Sequence, residues 1–194
     1  MQNKMNETVT NPDTPQAQVN QHRRWLLGGA GVLAGVAGAG LGWRQWAKGA
    51  QDPAVQAFWQ LQLARPEGGQ LALASLQGKP LIVNFWATWC PPCVRELPMI
   101  NAFAQAQQER AVHGVQVLGI AVDQAANVNK WLARQPLVFP VALASSGGVS
   151  LTRSLGNDNG GLPFTLLLDA RGDVQQRKIG EISRQELEQW AQFV

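Results

Sequence analysis

The sequence predicts an α/β domain in which a mixed central β-sheet is flanked by helices. Three observations support this fold class. The run from Leu81 to Trp86, apolar and β-branched except for Asn84, is typical of a buried central strand. The segment from Val94 to Phe103 then repeats apolar residues at helical spacing. Strand-like and helix-like segments alternate after it, as expected for a sheet covered by helices.

The remaining elements are predicted in chain order from the same patterns. Apolar and β-branched runs indicate strands, and longer segments with helical periodicity indicate helices. Glu186 follows Ser183 at the spacing of a capping box, which marks the start of the last helix. The predicted elements are a strand Val115–Val122, a helix Ala125–Arg134, a strand Phe139–Leu143, a hairpin of Phe164–Leu168 and Val174–Ile179, and a helix Ser183–Phe193.

The net positive charge of the chain lies in its N-terminal part. The formal net charge of the 194 residues is +3, yet after Ala50 there are 11 basic and 11 acidic residues. The excess charge therefore flanks one apolar segment, as in targeting or membrane segments. We expect no nucleic-acid partner.

The sequence before the domain divides into three segments. Residues 1–22 are polar without apolar periodicity and are expected to be disordered. Residues 23–46 contain 19 uncharged residues from Trp25 to Trp43, just enough for a helix to cross a bilayer. Residues 47–54 are predicted to be a linker, and residues 55–194 the folded domain.

Two interpretations of residues 23–46 stay open. The tryptophans at both ends favour an uncleaved membrane anchor, because indoles prefer the membrane interface. The pair Arg23-Arg24 and the small residues Ala37-Gly38-Ala39 favour a cleaved secretory or twin-arginine signal. In both interpretations the folded domain leaves the cytoplasm, so the two cysteines of the chain, Cys90 and Cys93, would lie in an oxidising compartment. The expected location is the bacterial inner membrane with the domain in the periplasm, or the soluble periplasm after cleavage.

The motif Cys90-Pro91-Pro92-Cys93 lies between the predicted central strand and the helix that follows. Free N–H groups and the dipole at a helix start stabilise a thiolate, and the two cysteines can close a reversible disulfide. A closed zinc site lacks ligands, because the chain has no further cysteine and only two histidines. A structural disulfide with so short a loop would constrain little of the unfolded chain. Transport of Cu(I) by two thiolates and an outside ligand remains a chemical alternative.

Residues Val83 to Cys93 read VNFWATWCPPC and resemble the TlpA/ResA-like branch of the thioredoxin superfamily. The resemblance extends over about residues 55–194. It implies a thioredoxin-like fold and an exported, often membrane-tethered thiol-disulfide oxidoreductase. The other parts of the chain that resemble the family are Glu96, Pro98, Gly69–Pro80, Gly114–Val122 and Gly161–Asp169.

The resemblance also implies roles for individual residues. Cys90 would be the nucleophile that forms a mixed disulfide with substrate, and Cys93 would resolve it. Pro163 resembles the family's cis-proline, which would place the Leu162 backbone beside the sulfurs to pair with an extended substrate. The substrate-binding residues implied in this way are Trp89, Pro91, Pro92, Leu162 and Pro163.

Glu96 follows Cys93 by three residues, so both lie on one side of the predicted helix. It could relay protons to the buried thiol, or it could simply stabilise the helix dipole. Cytoplasmic thioredoxins have a similar strand with a buried Asp at the position of Asn84. The amide of Asn84 cannot accept the proton of Cys93 as that carboxylate could. The two prolines between the cysteines offer no backbone N–H to the first sulfur, which favours a reductant.

The expected function is reduction of disulfides in selected extracytoplasmic proteins. The resemblance points to haem-site cysteines of apocytochrome c or to copper-site cysteines as substrates, and to a membrane thiol as electron donor. The redox-active disulfide Cys90–Cys93 would be the redox centre, so we expect no other cofactor and no metal. The alternative is a thioredoxin-fold copper carrier that binds Cu(I) through the same two sulfurs.

Overall fold

A computed structural model of the chain describes residues 52–110 and 114–194. No helix within these residues has the length and apolar character needed to span a bilayer. The predicted anchor or signal lies outside them. The described strands are β1 (Gln62–Ala64), β2 (Gln70–Ala72), β3 (Leu81–Trp86), β4 (Gln116–Ala121), β5 (Val141–Leu143), β6 (Phe164–Leu168) and β7 (Val174–Ile179). The described α-helices are α1 (Pro53–Trp59), α2 (Pro91–Glu109), α3 (Ala125–Leu132), α4 (Gly148–Ser154) and α5 (Arg184–Trp190).

The strands of the described residues form one mixed sheet in the order β2-β1-β5-β4-β3-β6-β7. Strands β3, β4 and β5 are parallel to one another, whereas β6 pairs antiparallel with both β3 and β7. All six residues of β3 are buried, as expected for a strand with neighbours on both edges and helices on both faces. The predicted mixed sheet and its central strand are confirmed.

Two apolar clusters cover the opposite faces of this sheet. Successive side chains of a strand point to opposite faces, so Val83 and Phe85 join one cluster, while Ile82 and Trp86 join the other. The first cluster contains Phe58 and other residues of α1. The second contains residues of α2, α3 and α5 together with both cysteines. The redox motif therefore lies on the face covered by α2.

Several elements differ from those predicted. Helix α1 begins at Pro53, before the predicted domain start at 55, and Asp52 caps it by accepting a hydrogen bond from the backbone N–H of Ala54 at 2.9 Å. Helix α4 begins at Gly148, in a segment for which no helix was predicted. The last helix begins after Ser183 with the predicted capping box but ends at Trp190 instead of Phe193. Strand β1 was also not predicted, because three residues carry too short a pattern.

Candidate redox site

Cys90 and Cys93 form a disulfide at the start of α2, with Cα atoms 5.3 Å apart. Cys90 is the N-cap residue, and its Sγ accepts a hydrogen bond from the backbone N–H of Cys93 at 3.4 Å. Cys90 is 4% exposed, whereas Cys93 is fully buried. This confirms that the motif begins a helix and that the first sulfur lies nearer the surface.

Pro91 and Pro92 occupy the first two positions of α2. A missing N–H is tolerated there, because the first turn of a helix has no intrahelical partner for it. The backbone N–H of Cys93 therefore remains as a donor directed at the Cys90 sulfur. After reduction, the same N–H and the helix dipole would stabilise a thiolate at Cys90.

Trp89 precedes the disulfide and is 64% exposed, while Trp86 is fully buried in the core. Trp89 is therefore not part of the apolar core. Its side chain lines a cleft of about 520 Å³ beside the disulfide motif. The other residues that line this cleft are Val122, Asp123, Gln124, Asn127, Ser145 and Ser146.

The peptide bond between Leu162 and Pro163 is cis, which confirms the conformation implied for this proline. Strand β6 begins at the next residue, Phe164, which pairs with Phe85 of β3. Pro163 therefore lies at the end of the sheet where β3 leads to the cysteines. Leu162 is half-buried against both apolar clusters. Pairing of its backbone with a substrate stays a prediction.

Glu96 is a buried carboxyl that joins α2 to two distant parts of the chain. Its Oε1 accepts a hydrogen bond from Asn84 Nδ2 at 2.8 Å, and its Oε2 accepts one from the backbone N–H of Ile182 at 2.8 Å. Burial raises the pKa of Glu96 to about 7, although both hydrogen bonds act to lower it, and the nearby Glu181 adds a smaller upward effect. A carboxyl that only stabilised the helix dipole would be solvated, so that interpretation is not supported.

Asn84 holds this carboxyl from the sheet side. The Nδ2 group also donates to Thr165 Oγ1 at 3.0 Å, so the amide joins β3, α2 and β6. Asn84 shares a face of β3 with Ile82 and Trp86, the face that packs against Cys93. The titratable group on this face is thus supplied by α2, whereas the strand supplies an amide that positions it.

The sequence carries only a weak signal for Asp123, an acidic residue directly between a strand and a helix. In the structure its Oδ2 accepts hydrogen bonds from the backbone N–H and Oγ1 of Thr88, at 3.0 and 2.5 Å. Its Oδ1 accepts from the backbone N–H of Gln124 at 2.7 Å and from Asn127 Nδ2 at 3.0 Å. Burial acts to raise the pKa of Asp123, but these four hydrogen bonds hold it below its usual range.

Metal ligation by the described residues would depend on the cysteine pair. Across residues 52–110 and 114–194, no three His, Cys, Asp or Glu side chains are grouped so that they could hold a metal ion. Cu(I) bound at Cys90 and Cys93 would therefore need a ligand from elsewhere.

The chain is similar to a known protein family and to several proteins named for thiol-disulfide exchange. The model of the Redoxin family matches residues 47–191. The thiol-disulfide oxidoreductase ResA of Bacillus cereus is 33% identical over 129 residues, which cover 66% of this chain and 70% of the relative. The sporulation thiol-disulfide oxidoreductase A of Bacillus subtilis is 28% identical over 158 residues, 78% of this chain and 92% of the relative. A crystal structure of a thiol:disulfide interchange protein from Chlorobium tepidum is 33% identical with a TM-score of 0.56, over 69% of this chain and 91% of that one.

These relatives are named for thiol-disulfide exchange, and the disulfide at the start of α2 supplies the group that this exchange requires. The chain is a thiol-disulfide oxidoreductase with a thioredoxin-like fold, similar to ResA and to the sporulation enzyme. It belongs to the Redoxin family. The resemblance inferred from VNFWATWCPPC is thereby confirmed. Enzymes of this class act on proteins that carry thiols or disulfides.

Proposed function

We propose that the protein is an exported reductase that transfers electrons from Cys90 and Cys93 to disulfides of selected extracytoplasmic proteins. The observation that carries the proposal is the setting of Cys90. Its sulfur receives one backbone N–H at the helix start, and only prolines stand between it and Cys93. A site with few donors to the thiolate stabilises the reduced state less than that of a strong oxidase, so it gives up electrons more readily.

The reaction balances in two exchange steps. The thiolate of Cys90 attacks one sulfur of the substrate disulfide, and the other substrate sulfur leaves as a thiolate that takes up a proton. Cys93 then loses its proton and attacks the Cys90 sulfur, which forms the Cys90–Cys93 bond and releases the second substrate thiolate. Two electrons pass to the substrate. Because Cys93 is fully buried, Glu96 is the proposed acceptor of its proton.

The proposed substrates are haem-site cysteines of apocytochrome c or cysteines of copper sites. Trp89, Pro91, Pro92, Leu162 and Pro163 would contact the substrate chain around the disulfide. The exposed indole of Trp89 and the cleft beside it support this assignment.

A reductant is expected to have a reduction potential of about −200 to −280 mV, because Cys90 lacks the additional donors of strong oxidases. Equilibration with glutathione buffers, followed by mass spectrometry of the alkylated thiols, measures this value. A potential near about −120 mV would make the protein an oxidase instead. A copper carrier would retain bound copper after purification under reducing conditions and would fail to reduce disulfide substrates.

Residues 23–46 are proposed to tether the enzyme to the inner membrane with its catalytic domain in the periplasm, near a membrane thiol that reduces it. A tether raises the effective concentration of Cys90 near such a donor. We expect the protein to stay in the membrane fraction after a high-salt wash and to need detergent for release. Recovery in the soluble periplasmic fraction, with a mature N-terminus at Gly40, Ala50 or Gln51, would show a cleaved signal.

A further inference from the structure

The turn that leads from β3 to the disulfide is held by the carboxylate of Asp123, which lies after the neighbouring strand β4. Thr88 lies inside this turn, which is closed by a hydrogen bond from the Cys90 N–H to the carbonyl oxygen of Ala87 at 3.3 Å. Both donors of Thr88, the backbone N–H and the hydroxyl, are directed at the same oxygen of Asp123. The turn therefore depends on a residue of the neighbouring strand end for its position.

The same aspartate also organises the other walls of the cleft beside Trp89. Gln124 is the N-cap residue of α3, but its side chain makes no capping hydrogen bond. Asp123 Oδ1 instead accepts a hydrogen bond from the backbone N–H of Gln124. The backbone oxygen of Asp123 accepts a hydrogen bond from Ser145 Oγ at 3.2 Å. The three segments that line the cleft, at Trp89, at the start of α3 and at Ser145, thus all meet at Asp123.

The position of Trp89 should be especially sensitive to this anchor. An indole that is 64% exposed is held mainly by the backbone that carries it, and the residue directly before it is Thr88. Asp123 itself is only 7% exposed, and its four hydrogen bonds fill the usual acceptor capacity of a carboxylate. Asp123 is thus suited to hold the cleft in shape and has little capacity left to bind a substrate directly.

We propose that Asp123 is a positioning residue that adapts the enzyme to polypeptide disulfides by fixing Trp89 and the adjoining cleft. This inference rests on the proposed reductase function, because it assumes that the cleft receives the substrate chain. A polypeptide contacts the cleft as well as the sulfurs, whereas a small aromatic disulfide needs only access to Cys90. Loss of the anchor should therefore weaken polypeptide binding and leave small-molecule exchange unchanged.

The test compares insulin with 5,5′-dithiobis(2-nitrobenzoate) as substrates of Asp123→Asn and Thr88→Val. The amide in Asp123→Asn has one oxygen acceptor instead of two, and Thr88→Val removes the hydroxyl with little change of shape. We expect KM for insulin to rise about fivefold to tenfold with kcat within about twofold, and exchange with the small disulfide to stay within about twofold. Thr88→Ser keeps the hydroxyl and should restore KM for insulin.

Asp169→Asn is the matched control. Asp169 likewise accepts backbone N–H groups, from Arg171 and Asp173, but it follows Leu168, which pairs with Leu81 at the opposite end of the sheet. The inference is overturned if KM for insulin is unchanged in Asp123→Asn, if both substrates slow equally, or if Asp169→Asn gives the same KM increase. If the unaltered protein reduces neither insulin nor the small disulfide, the proposed function is overturned, and this inference with it.

Discussion

Replacement of Cys93 by alanine is expected to abolish turnover and to leave substrate proteins covalently bound at Cys90. The attacking sulfur remains at the start of α2, so the first exchange step still occurs. The second step loses its intramolecular thiol and must wait for a thiol from solution. Because well-oriented intramolecular groups reach effective molarities of about 10⁵ M, resolution by millimolar thiols should be slower by up to about 10⁸-fold.

Electrophoresis without reductant, followed by mass spectrometry, would measure the trapped adducts and identify the substrate proteins. Cys90→Ala is the control, because the remaining sulfur of Cys93 is fully buried and should trap little. Equal adduct yields from the two variants would contradict the assigned order of attack. Adducts restricted to proteins with haem-site or copper-site cysteines would support the proposed substrate class.

Glu96→Gln is expected to remove a pH dependence of stability. The pKa of Glu96 is raised from 4.5 to about 7 in the folded protein, mainly by burial. Between these two pH values the folded state keeps a proton that the unfolded state has lost, so the free energy of unfolding should fall as the pH rises. The decrease should be about 3 kcal/mol across the window, and it should be absent in the variant because glutamine does not titrate.

Urea denaturation at about pH 4.5 and about pH 7.5 measures this difference. Glu188→Gln is a suitable control, because Glu188 is exposed and pairs only with Arg184 one helical turn away in the described contacts. The control should keep the slope of the unaltered protein. If Glu96→Gln also keeps the slope, the carboxyl is not the group that titrates.

The same substitution should slow the resolving step if Glu96 accepts the proton of Cys93. We expect a decrease of about 100-fold at neutral pH, together with loss of a kinetic midpoint near pH 7. Stopped-flow release of a model substrate from a preformed mixed disulfide measures this rate. Unchanged kinetics would leave Glu96 with a structural role at the junction of Asn84 and Ile182.

The features predicted most reliably from the sequence are those whose signals are local. Strand β3 matches its predicted range of Leu81–Trp86, because a short run that is apolar except for Asn84 is typical of a buried strand. The capping box of Ser183 and Glu186 depends on residues three positions apart, so the start of α5 is also confirmed. The cis conformation of Pro163 was implied only by the family resemblance, since most prolines that precede a strand are trans.

Features that depend on distant contacts were not predicted. The hydrogen bond from the Ile182 backbone N–H to buried Glu96 spans 86 positions of the chain, and nothing in the local pattern of α2 indicates it. The bond between Thr88 and Asp123 spans 35 positions. Helix α4 begins at Gly148, where a Cβ atom would lie only 2.7 Å from the side chain of Val122. The start of α4 is therefore explained by close packing against the residue after β4, and not by helix propensity, which is low for glycine.

The sheet order also determines when the redox site can be completed. Strand β6 inserts beside β3, and Thr165 contacts Asn84 across 81 positions of the chain. During synthesis, both cysteines emerge long before their partners from β6 and the segment before α5. In that interval, Cys90 and Cys93 lack the surroundings of the folded site, and the edge of β3 that later pairs with β6 has no partner strand. Such a chain is prone to misfolding. A protein that lost its last thirty residues would keep the disulfide motif intact while losing the Ile182 contact to Glu96, so the presence of both cysteines does not guarantee a tuned redox centre.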